Sequence, residues 1–221
     1  MEKITAVFTS CGRPGLLRET VLSFLTYKQY DIEKYIVIDN SANNQMKPIL
    51  ENIFESVLHK ATVIINDENI GQVASIDKAY SLVETPYIFH CEDDWEFYDF
   101  DFIRKSLDIL YDRPDISNIN LRARGDGTKG SFHPIGGELL TSNGTTYHEY
   151  IQNYLGEWHG FSWNPGLRRL SDYEKIKPYS KYYNEQGVNQ IMKNLGYKAA
   201  CLSDTYCRHI GENSSTPKSN I

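Results

Sequence analysis

The segment YIFHCEDD, residues 87–94, joins a short apolar run to three consecutive carboxylates. Pro86 ends the helical pattern before it, and the apolar run at 87–90 is of a length typical of a buried strand. The acids at 92–94 therefore follow the end of a strand and do not lie on a solvated helix. Because neighbouring carboxylates repel one another, this arrangement favours a site where a cation offsets the repulsion.

Similar apolar runs occur before and after this segment and alternate with helical periodicity. Strands are predicted at 4–9, 35–38, 62–65, 87–90, 116–121 and 199–202. Helices are predicted at 14–25, 48–58, 73–83, 102–111 and 188–195. The alternation is typical of βαβ units, so we predict a single α/β domain with a mostly parallel central sheet flanked by helices. Residues 122–183 show no clean period and are expected to shape a substrate site.

Length, composition and charge exclude several classes of protein. The 221 residues, 40% of them hydrophobic, fit one domain. The net charge of −6, without a basic run, argues against nucleic acid as a partner. No run approaches the roughly 20 apolar residues of a transmembrane segment, and no secretion signal is visible, so we expect a cytoplasmic protein.

Polar residues follow each of the first four predicted strands, at 9–13, 39–41, 66–71 and 92–94. Ligands of a parallel sheet bind beyond the carboxyl ends of its strands, so these residues are expected to meet at one rim. Oxygen ligands there suit Mg²⁺ or Mn²⁺, with diphosphate oxygens and water completing the coordination. In an extended chain Asp94 and Glu92 share one side, which assigns them to the metal and leaves Asp93 free for a ribose hydroxyl. The alternative is a solvated acidic turn before a helix.

Several of these motifs resemble glycosyltransferase family 2 and other GT-A-fold glycosyltransferases. TSCGRP at 9–14 resembles their opening strand and turn, IVIDNS at 36–41 their second strand, and NIGQ at 69–72 the segment before their third helix. EDD at 92–94 resembles their metal-binding acidic motif. The resemblance covers about residues 4–100. It implies a GT-A-type, Rossmann-like domain that binds a nucleotide-sugar.

The resemblance also implies roles for individual residues. Thr9 and Asp39 match positions that line the nucleoside pocket, whereas Asn40 stands where a second aspartate is commoner, which leaves the base open. The nucleotide-binding residues expected on this basis are Thr9, Arg13, Asp39, Asn69, Gln72 and Asp93. The ligands expected for Mn²⁺ or Mg²⁺ are Asp94, Glu92 and His209, the last of which resembles a late histidine that completes the metal or diphosphate site in some members.

A carboxylate near the C-terminus resembles the catalytic base of inverting members of the family. Glu185 lies in NEQGV at 184–188, before a helix that ends at a Gly-Tyr pair, and falls on the base position. A carboxylate there would take the proton from the acceptor hydroxyl. The competing bases are Glu157 and Asp172, and the alternative role of Glu185 is to favour the N-terminus of its helix.

The segment EWHGFSWNPGLRR at 157–169 is rich in aromatic, glycine and polar residues. Aromatic faces stack on sugar rings, which makes its tryptophans candidate acceptor or donor-sugar contacts, with core packing as the alternative. Arg168 or Arg169 is a candidate for the diphosphate, because a planar guanidinium matches phosphate oxygens. The acceptor- and sugar-binding residues expected are Glu157, Trp158, Trp163 and Arg168.

Together these observations predict a metal-dependent glycosyltransferase that moves a sugar from a nucleoside-diphosphate donor, with a UDP-sugar favoured, to a glycan or other hydroxyl acceptor with inversion. Residues 1–121 would form the nucleotide-sugar-binding half of the domain. Residues 122–221 would form the acceptor-binding half, with the catalytic base and a C-terminal tail. Two alternatives remain open: a metal-dependent nucleotidyltransferase or phosphohydrolase, although no GxxxxGK loop is present, and a non-catalytic nucleotide- or sugar-binding module.

Overall fold

Strands and helices alternate along residues 1–122, 136–154 and 156–211, which are the residues that the computed structural model describes. The strands are β1 Ile4–Ser10, β2 Lys34–Asp39, β3 Ala61–Ile65, β4 Tyr87–Glu92, β5 Trp95–Phe97, β6 Ile116–Asn120, β7 Leu140–Ser142, β8 Thr145–Glu149, β9 Gly166–Arg169, β10 Lys198–Leu202 and β11 Cys207–His209. The α-helices are α1 Pro14–Tyr27, α2 Met46–Ile53, α3 Gln72–Tyr80, α4 Phe102–Asp112, α5 Leu170–Ile176 and α6 Glu185–Asn194. Two 3₁₀ helices cover Glu55–Lys60 and Tyr179–Tyr182.

Nine of the strands form one mixed sheet in the order β3-β2-β1-β4-β9-β6-β10-β8-β7. Strands β3, β2, β1 and β4 are parallel neighbours, and β6 is parallel to β10. Strand β9 lies between β4 and β6 and is antiparallel to both. A separate pair, β5 with β11, brings the C-terminal part of the described chain beside the end of β4.

Each face of the sheet has its own hydrophobic core, because successive residues of a strand point to opposite faces. In β1, Ala6 and Phe8 pack beneath α1, α2 and α4, whereas Val7 packs beneath α3, α5 and α6. All seven residues of β1 are buried, which accounts for its unbroken apolar character. No helix in the described part of the chain combines the length and apolarity needed to cross a bilayer.

The six strands and five helices predicted from the sequence all have counterparts, and the predicted α/β architecture is confirmed. Two expectations were wrong. The helix predicted at 48–58 ends at Ile53 and continues as the 3₁₀ helix Glu55–Lys60. The region 122–183, predicted to be irregular, contains β7, β8, β9 and α5 among its described residues. Strand β8 pairs with β10, and β9 pairs with β4 and β6, all far away in the chain, so local periodicity does not reveal these short strands.

Close packing of β9 against β6 gives the first testable prediction. A Cβ atom on Gly166 would lie 2.3 Å from the carbonyl oxygen of Ile119. Gly166→Ala should therefore reduce the free energy of unfolding by about 1–3 kcal/mol, measured by urea denaturation. The matched control is Gly15→Ala, because no atom lies within 4 Å of that Cβ position in α1 and alanine favours a helix by up to about 1 kcal/mol. Equal stabilities of the two variants would contradict this account of β9.

Candidate functional site

The carboxyl ends of β1 and β2 are joined by the buried carboxylate of Asp39. Its Oδ2 accepts a hydrogen bond of 2.8 Å from the backbone N–H of Gly12, and its Oδ1 accepts one of 2.9 Å from the N–H of Ser41 and another from the Ser41 hydroxyl. Gly12 has φ +68°, a left-handed conformation that favours glycine. Asp39 therefore fixes the two loops at the rim, and its predicted contact with a nucleoside stays a prediction.

A chain of amide side chains extends this rim to β3 and α3. The Asn40 amide donates to Asn69 Oδ1 at 2.6 Å, and the Asn66 amide donates to Asn40 Oδ1 at 2.9 Å. Lys78 from α3 donates to Asn66 Oδ1 at 2.8 Å. Asn69 is thus brought beside the first loop, where its amide lies 3.9 Å from Cys11 Sγ. Asn69 was predicted from its motif, whereas Lys78 lies in no recognisable motif and was not predicted.

Asp93 is buried and makes close contacts with the first loop and α1. Ser10 Oγ donates to Asp93 Oδ2 at 2.8 Å, and Arg13 donates through Nε to the same oxygen at 3.0 Å and through Nη2 to Oδ1. The Asp93 carbonyl accepts a bond from Thr20 Oγ1 at 2.9 Å. Burial raises the pKa of Asp93, and the charge of Arg13 opposes that rise. Both carboxylate oxygens of Asp93 thus accept bonds from Ser10 or Arg13, and its predicted contact with a ribose hydroxyl stays a prediction.

Arg13 also reaches the next carboxylate, since its Nη1 lies 3.0 Å from Asp94 Oδ2. On the other side of Asp94, His209 Nε2 lies 3.3 Å from the same oxygen. Burial raises the pKa of Asp94, but the His209 hydrogen bond and the Arg13 charge outweigh burial and leave it below its usual value. The bond to Asp94 raises the pKa of His209. The structure therefore brings together two of the three predicted metal ligands.

The chain after β11 packs directly against Asp94. The Ile210 N–H donates to the Asp94 carbonyl at 2.9 Å, and a Cβ atom on Gly211 would lie 2.5 Å from Asp94 Oδ2. The absence of a side chain at Gly211 is thus a requirement of the site. No sequence motif marks this glycine, and it was not predicted.

Glu92, the third predicted ligand, is turned toward α3. Its Oε1 accepts a hydrogen bond of 2.7 Å from Gln72 Nε2. Burial and the negative charges of Asp94 and Glu185 raise the pKa of Glu92 to about 7. Within the described ranges, no three histidine, cysteine or acidic side chains are grouped closely enough to hold a metal ion. Only Asp94 and His209 of the predicted set are in mutual contact.

Glu185 is the first residue of α6, and its carboxylate interacts electrostatically with Glu92 at the rim. Its Oε2 accepts a hydrogen bond of 2.9 Å from the backbone N–H of Trp163. Burial raises the pKa of Glu185, while the Trp163 hydrogen bond and the charge of Arg168 oppose the rise. The negative charge of Glu185 contributes to the raised pKa of Glu92, so the two carboxylates lie within electrostatic range of each other. Asn184 caps the helix, accepting a bond of 3.0 Å from the N–H of Gly187.

The two competing bases are placed differently. Asp172 lies near the amino end of β4, where its carboxylate accepts bonds from Tyr197, Arg169 and Lys175. Asp172 therefore has a structural role at the opposite end of the strands from the rim. Glu157 is exposed near the start of α6, and its Oε1 accepts a bond of 2.8 Å from Gln186.

The predicted sugar contacts of Trp158 and Trp163 require correction, because both side chains are buried. The Trp163 ring packs 4.7 Å from that of Phe161 and 5.2 Å from that of Tyr179. Core packing, the alternative interpretation, describes both tryptophans.

The predicted ligand contacts of the two arginines in this segment also require correction. Arg168 is 2% exposed and lies under the ring of Phe161. The guanidinium of Arg169 donates to the carbonyls of Ile116, Leu110 and Arg113. The guanidinium groups of both arginines are thus engaged within the protein and are not open to a diphosphate at the rim.

A comparison with protein-family models identifies the relatives of this chain. The model of glycosyl transferase family 2 matches residues 5–177. The chain belongs to glycosyl transferase family 2. The family expected from the motifs at the ends of the first four strands is therefore confirmed. A search of curated protein sequences gives no significant match.

Solved structures of glycosyltransferases share the fold. The mannosyltransferase PcManGT from Pyrobaculum calidifontis, in complex with GDP-Man and Mn²⁺, is similar with a TM-score of 0.70 at 10% identity over 97% of this chain and 59% of that one. S. aureus TarS 1–349 in complex with UDP-GlcNAc is similar with a TM-score of 0.66 at 14% identity, over 97% of this chain and 60% of that one. GalNAc-T7 with UDP, GalNAc and Mn²⁺ is similar with a TM-score of 0.71 at 12% identity, over 100% of this chain and 46% of that one.

These similarities confirm the GT-A fold. The chain spans three fifths or less of the length of these three structures.

The buried ion pair between Arg13 and Asp93 gives the second prediction. Arg13→Met should lower the free energy of unfolding by about 3–5 kcal/mol, because it leaves Asp93 buried without its cation. The control is Lys3→Met, which removes an exposed pair with Glu33 and should cost less than about 1 kcal/mol. Urea denaturation of both variants measures the difference, and a loss from Arg13→Met no larger than the control's would show that the pair does not stabilise the site.

Proposed function

We propose that this member of the family is a metal-dependent glycosyltransferase, which transfers a sugar from a UDP-sugar donor to a glycan or other hydroxyl acceptor with inversion. The observation that carries the proposal is the placement of two acidic centres at one rim. Asp94 with His209 forms one centre, Glu185 forms the other, and Glu92 interacts electrostatically with both acids. A cation-assisted leaving group and a base for the acceptor require such a pair of centres.

The donor side of the site is assigned to the ends of β1 to β4. Thr9, Asp39 and Asn69 would bind the nucleoside, and Gln72, at the first position of α3, would lie near the sugar or phosphates. The network through Asn40 holds this pocket in shape before a ligand arrives. TarS and GalNAc-T7 were each solved with a uridine nucleotide, whereas PcManGT was solved with GDP-Man, which supports UDP over GDP without assigning the sugar.

The donor atoms of Asp94 and His209 fit Mn²⁺ or Mg²⁺. Such ions are commonly held by one or two protein ligands, with substrate phosphates and water providing the rest, so a protein cage of three ligands is not required. When bound, the ion would offset the charge that develops on the departing nucleoside diphosphate. Arg13 holds Asp94 in place through an ion pair. Gly211 allows the Asp94 carboxylate its position because it has no side chain that would collide with it. Glu92, held by Gln72 of α3, would add to the negative electrostatic potential around the ion.

The acceptor side is assigned to the start of α6. Glu185 would take the proton from the attacking hydroxyl, since its partly buried carboxylate accepts a hydrogen bond from the Trp163 N–H and interacts electrostatically with Glu92. Exposed Glu157 lies next to it and would contact the acceptor. The family match favours transfer over both alternative functions considered from the sequence.

Substitution of the two acids should separate donor binding from chemistry. Asp94→Ala should abolish transfer and the effect of Mn²⁺ on UDP affinity. Glu185→Gln should keep UDP affinity while kcat falls by about 10²- to 10⁴-fold, the usual contribution of a general base. Calorimetry with UDP and Mn²⁺, and turnover of a UDP-sugar panel, measure these effects. Glu174→Gln is the control, because that residue pairs with Lys177 on the surface of α5. Wild-type kcat in Glu185→Gln would remove Glu185 as the base.

Nucleotide preference is tested by thermal stability with UDP, GDP and dTDP, each with and without Mn²⁺. A ligand at 100 times its Kd stabilises the folded state by about 2.7 kcal/mol. In a domain of this size that corresponds to a rise in Tm of about 5–11 °C. UDP with Mn²⁺ should give the largest rise, and omission of Mn²⁺ should reduce it. A larger rise with GDP would contradict the assigned donor.

A further inference from the structure

The backbone of residues 161–163 is held by side chains from two neighbouring elements. Asn189 of α6 accepts a hydrogen bond from the Phe161 N–H and donates one to the Phe161 carbonyl, both at 2.8 Å. Arg168 of β9 donates through Nη2 to the Ser162 carbonyl at 3.1 Å. We call Asn189, Arg168 and residues 161–163 the 161–163 clamp.

The third residue of this segment connects the clamp to the proposed base. The Trp163 N–H donates to Glu185 Oε2 at 2.9 Å. Asn189 lies one helical turn after Glu185 and also donates to the Glu185 carbonyl at 3.0 Å. The carboxylate and its hydrogen-bond donor are therefore fixed by the same buried amide, which leaves little freedom for the Glu185 side chain.

Arg168 is an unusual residue for this buried position. It forms no ion pair with any side chain of the described residues, and its Nε and Nη1 are buried, with the Tyr80 hydroxyl as the neighbouring polar group. An isolated buried charge is unfavourable unless another charge compensates for it. Glu185 is a nearby carboxylate on which the Arg168 charge acts. The positive charge of Arg168 thus partly offsets the cost of burying the Glu185 carboxylate.

We propose that Arg168 and Asn189 are positioning residues for Glu185. They hold the backbone of residues 161–163 so that the Trp163 N–H orients the Glu185 carboxylate toward the acceptor. Neither residue touches substrate in this arrangement, and both act through Glu185. The role as base rests on the proposed function, whereas the clamp itself does not, so the two are tested separately.

Amide hydrogen exchange tests the clamp without any need for turnover. In Arg168→Met and Asn189→Ala, exchange of the Trp163 amide should accelerate by at least about tenfold, because the segment opens locally. Amides of β1 and β2 should stay unchanged. The control is Gln190→Ala, since that exposed residue of α6 bonds only within its own helix, to Asn194. Unchanged Trp163 exchange in both clamp variants would overturn the proposal.

Double-mutant kinetics test whether the clamp acts through Glu185. Arg168→Met and Asn189→Ala should each lower kcat by about 10- to 100-fold with UDP affinity unchanged, whereas either change added to Glu185→Gln should alter kcat by less than about twofold. Arg168→Lys should recover part of the loss, because it restores the charge. Equal losses in both backgrounds would show a purely structural role and overturn positioning. If Arg168→Met fails to fold, the test relies on Asn189→Ala, because this variant keeps the buried charge of Arg168.

The outcomes separate the two proposals. Absence of turnover by the wild-type protein with every donor would refute the proposed function, while the exchange experiment would still decide the clamp. Turnover that depends on Glu185 but not on Arg168 or Asn189 would refute positioning and leave the proposed function standing.

Discussion

The ion pair between Arg13 and Asp93 is the interaction on which the arrangement of the rim depends. Arg13 follows β1 and Asp93 follows β4, so one guanidinium fastens together the ends of two adjacent parallel strands. The same guanidinium reaches Asp94, which turns two repelling carboxylates into a bridged pair. With Asp93 occupied in this way, Asp94 is the carboxylate left to meet His209 at the edge of the site. Asp93 thus has a structural role within the acidic motif, whereas Asp94 is the acid to which the proposed function assigns the metal.

The position of β9 between β4 and β6 divides the site into two parts that come from different regions of the chain. Because β9 runs antiparallel between β4 and β6, the segment that precedes it arrives at the rim directly beside the end of β4. That segment contains Trp163, whose N–H holds Glu185. The proposed donor side is therefore built from sequential strands near the N-terminus, whereas the proposed acceptor side depends on a later part of the chain that pairs with the middle of the sheet.

Strand ends and the acidic motif could be predicted from the sequence because they are local features. Continuous apolar runs mark β1, β2 and β4, and the acids follow β4 directly. Strand β9 could not be found, since its four residues include two arginines and its place depends on pairing with distant strands. The engagement of Asp93 was missed for a similar reason. Alternation in an extended chain gives the side to which Asp93 points, but not the presence of Arg13 on that side.

Burial of the aromatic segment changes where acceptor recognition has to take place. Trp158 and Trp163 were expected to stack on sugar, yet both belong to the core with Phe161 and Tyr179. Their packing leaves their aromatic faces unavailable, but it makes the backbone above them rigid, and a rigid backbone is what a base such as Glu185 needs in order to keep one orientation. Under the proposed function, recognition of the acceptor would then depend on exposed groups near Glu185, such as Glu157. The buried aromatic residues would fix the orientation of the base, and the exposed residues would select the acceptor, which is the opposite of what the aromatic content of the segment suggested.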